Sequence, residues 1–309
     1  MATYASFLKP TGIDYTLAQN SNRSIGLSPG AFNPDAAFGK VYWVDKNTGD
    51  DDHNGLSPQQ AFATIEEAIT VSNAEVGNYN MNTIYVGAQS YSETLTALPK
   101  NCNVVGIGGK VRIAGVSTFA ASSQNAHFWN IQFRDTTSAP MVTIPSTSYS
   151  IGFHGCTFDN GSGTSTYGIS VGGTQDFVLE DCFFCGNPVF PTAIHITGNH
   201  IRTRIRRNYI SATTNGILIA SASVGYQNYI EENIIGRTMT DPNSSAQMAY
   251  GINSLKADGH SGFMMINNRI EAVDAIYFAH TTGTNETDAC LGNIISQAGT
   301  GTSEVDYTG

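Results

Sequence analysis

The chain is short of charge. Asp, Glu, Lys and Arg make up 13% of its 309 residues, about half the ~25% of an ordinary soluble domain. With 40% hydrophobic residues beside that low charge, the composition excludes a disordered chain, which needs the reverse balance. Basic residues are scarcest, 15 against 25 acidic for a net charge of −10, so nucleic acid is not an expected partner. No apolar run approaches the ~18 residues of a membrane-spanning helix, so no membrane is expected either. The first twenty residues lack the basic start and apolar stretch of a secretory signal, and synthesis in a cytoplasm is expected. Cysteine is too sparse and irregular for a disulfide framework, five residues in all. What is abundant is glycine, 32 residues, together with Asn, Ser and Thr. Weakly charged and turn-rich, the chain reads as all-β.

A repeat organises it. The apolar residues Phe133, Phe158, Phe184, Ile210, Ile235, Ile270 and Ile295 follow one another at steps of 25, 26, 26, 25, 35 and 25. The long step coincides with a polar insertion at 237–247, expected to protrude as a loop. Five positions before each anchor stand Phe128, Phe153, Leu179, Ile205, Ile230, Met265 and Cys290; two positions before stand Ile131, Cys156, Cys182, Asn208, Asn233, Asn268 and Asn293. Short alternating runs such as YGISV and TAIHI recur between them, so each period holds about three short strands. That is too little for a βαβ unit or a propeller blade. A coil fits: each period makes one turn, and residues one period apart lie one above the other at the ~4.8 Å strand spacing. Asn208, Asn233, Asn268 and Asn293 then form a ladder of amides at a bend, and the Phe and Ile columns fill a dry core.

An open coil needs caps. Residues 41–74 supply the first: the strand VYWV, a polar turn over 45–55, and a short amphipathic helix beginning near Thr64, with Thr64 and Glu67 spaced as a capping box. Early, less regular coils follow over 75–125, and regular coils over 126–300. The segment VYWVDKNTGDDDHNGLSPQQAFATIEEAI resembles the N-terminal cap of pectate-lyase-like right-handed parallel β-helix proteins, many of them phage tailspikes and other virion surface proteins. The matching residues are Val44, Asp45, Gly49, Asp50, the run Asn54 to Pro58, Ala61 to Ile65, and Ala68 with Ile69; His53 departs from the pattern. The resemblance implies the right hand of the coil. It implies no activity, since lyases, hydrolases and inert fibres share the cap. The expected fold is an all-β, right-handed, single-stranded parallel β-helix of about 25 residues per coil, residues 41–309, with an N-terminal capping helix. Residues 1–40 lie outside cap and repeat and read as an attachment arm.

The densest charge cluster holds Arg202, Arg204, Arg206 and Arg207. In the repeat register Asp176, Glu180 and Asp181 stand one coil below, and Glu231 and Glu232 one coil above. The columns Glu180–Arg206–Glu231 and Asp181–Arg207–Glu232 therefore alternate in sign, the favourable arrangement on facing strands, while Arg204 has only Val178 and Tyr229 in its column. A salt-bridge ladder is the first reading. A catalytic face of Asp176, Glu180, Asp181, Arg204, Glu231 and Glu232 is the alternative, weakened because Glu180 and Glu231 would lie roughly 10 Å apart with an arginine between them. The three aspartates at 50–52 read as a solvated turn before a calcium site, and Cys156 over Cys182 as a small apolar column before zinc. His127 and His154 fall in adjacent coils but different columns. No metal or other cofactor is expected. Phe183, Tyr209 and Ile234 occupy one outward column on successive coils, an exposed apolar stripe expected to be the seam of a homotrimer.

These readings converge on a non-enzymatic structural protein of a phage virion surface, a capsid decoration or head-spike protein docked on capsid or tail proteins through residues 1–40. The alternative is a compact tailspike that binds or cleaves a host surface polysaccharide.

Overall fold

The computed structural model describes residues 39–75, 81–119, 123–134, 139–161, 165–186, 189–220, 224–236, 248–255, 262–278, 289–296 and 306–307. The arm expected over 1–40, save its last two residues, and the insertion at 237–247 lie outside these.

Three parallel sheets run the length of the molecule. Sheet A has ten strands, from Val41–Val44 through Asn82–Gly87, Cys102–Ile107 and so on to Ala289–Leu291. Sheet B has nine, from Ser90–Tyr91 to Ile294–Ser296, and sheet C eight, from Ser117–Thr118 to Asp306–Tyr307. From Cys102 onward each coil of chain visits A, B and C in turn, and every pairing is with the coil before or after. The protein is a parallel β-helix.

Period-2 alternation explains the strands. In Asn82–Gly87 and Cys102–Ile107 alternate residues are buried, so one side faces the lumen and the other the outside. The lumen is filled by residues standing one above the other: Phe128 on Phe153 (ring centroids 5.0 Å apart, planes within 9°), Phe158 on Phe184 (4.5 Å, 6°), then Ile210, Ile235 and Ile270 on the same column. All are buried.

The bend from sheet A to sheet B is the same in every regular coil: one residue in the left-handed region, then one residue of the interior ladder. Asn130, Asp181, Arg207, Glu232 and Asn267 take the first place with φ of 53–57°, and Gly155 and Gly292 take it at 60° and 64°. The second place holds Ile131, Cys156, Cys182 and the four asparagines. Asn208, Asn233, Asn268 and Asn293 stand in single file. Asn208 donates through Nδ2 to Asn233 Oδ1 (3.0 Å), Asn233 to Asn268 (2.9 Å) and Asn268 to Asn293 (3.0 Å). Each Oδ1 also takes the backbone N–H of the ladder residue one coil earlier, and each Nδ2 reaches a carbonyl that the bend would otherwise leave bare, Leu179, Ile205, Ile230 and Met265 in turn. Buried backbone polar groups must be paired, and here side chains do it. Cys156 and Cys182 put their thiols in the same slot, toward Phe128 O and Phe153 O at 3.4 and 3.5 Å.

At the N-terminal end the helix α1 (Ile65–Glu75) lays Ile65, Ala68, Ile69 and Ser72 onto the first coil. Its capping differs from the expected box. Glu67 N–H does bond Thr64 Oγ1 (3.2 Å), but Thr64 N–H goes to Asp51 Oδ1 (2.9 Å), and the next two N–H groups, of Ile65 and Glu66, go to the Glu93 carboxylate at 3.1 and 2.9 Å. Carboxylates from two neighbouring loops meet the positive end of α1, so no glutamate need reach back. The aspartate turn is hydrogen-bonded within the fold: Asp50 accepts from Asp52 N–H, and Asp51 from Ala63 and Thr64.

Candidate functional site

The outward side chains of sheet A form one column across ten coils: Trp43, Tyr85, Val105, Trp129, His154, Glu180, Arg206, Glu231, Ile266 and Leu291. Its chemistry changes twice. The first four are aromatic or aliphatic, with Trp43 on Tyr85 at 5.2 Å. The middle four are ionisable. The last two are aliphatic again.

The ionisable stretch is where the sequence placed its charge cluster. Glu180 is its hub. Oε2 takes Arg206 Nε at 2.7 Å and, more weakly, Arg207 Nη2 at 3.4 Å; Oε1 takes His154 Nδ1 at 2.7 Å. Burial would raise this carboxyl, but hydrogen bonds from His154 and Arg206 and the arginine's charge outweigh it and hold the group below its ordinary value. Arg207 forks onto Asp181 through Nε and Nη2, both at 2.8 Å, and Arg202 onto Asp176, both at 2.7 Å. Those hydrogen bonds lower the Asp181 and Asp176 carboxyls.

The lower half of the expected ladder is thus in place and the upper half is not. Glu231 and Glu232 stand in register above Arg206 and Arg207, yet among the described residues the ion pairs of both arginines run only downward, to Glu180 and Asp181. Each guanidinium has its fork aimed at the coil below and cannot serve both neighbours. Arg204 is exposed, with Val178 and Tyr229 as its neighbours.

Sequence spacing missed the next link. His127 faces Gly152 in register, not His154, so the two histidines looked separate. Gly152 has no side chain to keep them apart: a Cβ there would lie 2.3 Å from His127 Nδ1 and 2.5 Å from His154 Nε2. The rings lean across the gap and meet at 3.0 Å, Nδ1 to Nε2. Trp129 stacks on His154 with ring centroids 3.8 Å apart. Reading the columns diagonally wherever glycine interrupts one of them would have found this contact.

As a catalytic face this arrangement is poorly equipped. Both Glu180 oxygens are occupied by cations or an imidazole N–H, so Glu180 is not placed to hold a transferable proton, and Arg206 separates it from Glu231. Among the described residues no three of His, Cys, Asp or Glu are placed to hold a metal ion. Buried His200 is structural: its Nε2 meets Thr197 O at 2.9 Å and its Nδ1 meets Thr174 Oγ1 at 3.2 Å, and burial lowers its pKa to about 4.

Two other surfaces stand out. On sheet B, Phe183, Tyr209 and Ile234 lie on successive coils, with Phe183 37% and Tyr209 45% exposed. At the corner leading into sheet A, a groove of about 650 Å³ runs across three coils, bounded by Ser146–Tyr149, Gly173–Gln175 and Gly198, Asn199 and Ile201. Its walls are hydroxyls, amides and bare glycine backbone, with the half-exposed Tyr149 ring at one side.

No family model matches this chain, and no curated protein matches it. Among solved structures it is similar to a crystal structure of pectate lyase Pel9A, at 12% identity and a TM-score of 0.45, over 84% of this chain and 78% of that one. At that distance neither substrate nor residues transfer.

Proposed function

We propose that this protein is a non-enzymatic, self-associating structural component of a virion surface, docked through its N-terminal arm. The observation that carries self-association is the Phe183–Tyr209–Ile234 stripe, three large apolar side chains turned outward on adjacent coils of sheet B. Exposed apolar area of this kind marks partner surfaces, and parallel coils packing side by side into a homotrimer would cover it. The absence of chemistry is supported by Glu180, Asp176 and Asp181, each engaged by an arginine. The virion setting rests on the resemblance of the cap at 41–69. Sedimentation is the test. The unaltered chain should run as a trimer, and a triple Phe183→Ser, Tyr209→Ser, Ile234→Ser variant as a folded monomer; a monomeric unaltered chain overturns the reading.

One observation favours a second reading, a compact tailspike that binds host polysaccharide. The corner groove offers hydroxyl and amide partners beside an aromatic ring, the chemistry that holds a sugar. It borders the Asp176–Arg202 pair at one end of the charged face first considered for catalysis. Saturable binding of a surface glycan that Tyr149→Ala weakens at least tenfold would favour this reading over a purely structural role.

A further inference from the structure

We propose that His127 and His154 form an acid-operated latch on the outer face of sheet A, closed while the pair carries at most one proton and opened when it takes up a second.

The hydrogen-bond chain has a fixed polarity. An ionised carboxylate only accepts, so His154 must present Nδ1–H to Glu180 Oε1. In the neutral imidazole Nε2 is then a lone pair, and His127 must supply Nδ1–H to it across the 3.0 Å contact. One added proton finds acceptors on both sides of the His154 ring, the Glu180 carboxylate and a His127 nitrogen. The resulting cation keeps the Glu180 carboxylate at one nitrogen, has the face of Trp129 against its ring, and donates Nε2–H to a His127 that has switched tautomer. A second proton has no such place. Both facing nitrogens would be N–H donors carrying cationic rings, no acceptor would remain between them, and the contact would have to break.

The surroundings of His127 do nothing to ease that second charge. On its own strand and on the strand below, its outward neighbours are Trp129, Asn103 and Val105, none of them charged. The strand above brings His154. The charged groups farther along these two columns and at their bend are Glu180, Asp181, Arg204, Arg206, Arg207, Glu231 and Glu232, and of the acids nearest the pair Glu180 and Asp181 are already engaged by the arginines. Burial and the neighbouring His154 accordingly bring the His127 imidazole down to about 4, against a weaker opposing pull from Glu180. Its folded pKa therefore lies below the ordinary histidine value. The closed latch is fully stabilising at neutral pH and is lost as pH falls from about 6.5 toward 4. Opening would move the His127 ring off His154, which stays on Glu180 and Trp129, and so uncover the outer wall beside the Trp43–Tyr85–Val105–Trp129 stripe.

The full-length protein suffices for the test. Histidine ring resonances followed by NMR from pH 8 to 3.5 should show the pair titrating in two steps separated by more than about one pH unit, while emission of Trp129 in a Trp43→Phe background changes with the lower step. His127→Gln should abolish the lower step. Gly152→Ala, which drives the rings apart directly, should make both histidines titrate independently. Two independent titrations in the unaltered protein, or a Trp129 transition that persists unchanged in His127→Gln, would overturn the latch. The NMR measurement on the unaltered chain decides the matter even if both variants fail to fold.

Discussion

The lower and upper coils of this helix solve the same problem with different side chains. Between residues 126 and 190 the lumen is aromatic: Phe128, Phe133, Phe153, Phe158, Phe177, Phe184 and Phe190 are all buried, and the A-to-B bend is lined by Cys156 and Cys182. Above Ile205 the lumen is mostly Ile and Met, with Phe263 and Phe278 among them, and the bend is lined by asparagine. Stacked rings hold the lower coils by contact area, with a thiol that donates only weakly to the bend carbonyl. In the upper coils each asparagine pairs a carbonyl and an N–H of the coil below, and the amides bond one another up the file. Large, flat side chains make vertical order through packing; branched aliphatic ones leave that order to the amides. Which force holds the pitch depends on which half is considered.

Six substitutions sharpen that contrast. The largest effect should come from the two cores. Phe158→Ala removes a ring stacked on both sides, by Phe133 and Phe184, and should cost about 3–5 kcal/mol, against about 0.5–1.5 for Ile235→Val in the aliphatic half; chemical denaturation reads both. Next is the bend. Asn233→Ala orphans Ile205 O and the two donors of Asn208, at about 1–3 kcal/mol for each buried group left unpaired. Cys182→Asn should instead extend the ladder by one rung and raise the denaturation midpoint. A cysteine slot that rejects asparagine would break the claimed equivalence. The smallest effect tests the left-handed column. Glu232 holds φ of 57° without an ion pair to Arg207, so Glu232→Asn should stabilise by roughly 0.5–1 kcal/mol, whereas Arg207→Asn should not, because it gives up the fork to Asp181.

Much of this was legible before any coordinates. The anchor spacing fixed which residues share a column, because a parallel register repeats whatever the period repeats; Glu180, Arg206 and Glu231 fall in one file on that ground alone. What period could not carry was direction within a column. Nothing in the sequence says that Arg206 and Arg207 reach down and not up, since both neighbours are acidic. Nor did it show that the residue before every ladder position is left-handed: Asn130, Gly155, Asn267 and Gly292 mark the bend, but Asp181, Arg207 and Glu232 hold the same conformation without the residue type that announces it. The His127–His154 contact was hidden for a related reason. It depends on an absence, the missing side chain of Gly152, and column counting registers only what is present. The helix α1 was foreseen from its apolar side, but its carboxylate caps come from Asp51 and Glu93, far off in sequence.

The constancy of the A-to-B bend has a consequence for how such a molecule can change. Exactly two residues separate the outward sheet A position from the outward sheet B position in Glu180 to Phe183, Arg206 to Tyr209, Glu231 to Ile234 and Ile266 to Arg269, and an extra residue there would throw the asparagine file out of step. The B-to-C corner keeps no such count: two residues part Glu271 from Asp274, but thirteen part Gly236 from Tyr250. One corner is a metronome and the other a socket, so new sequence can be spliced into the second without the beat of the first being lost.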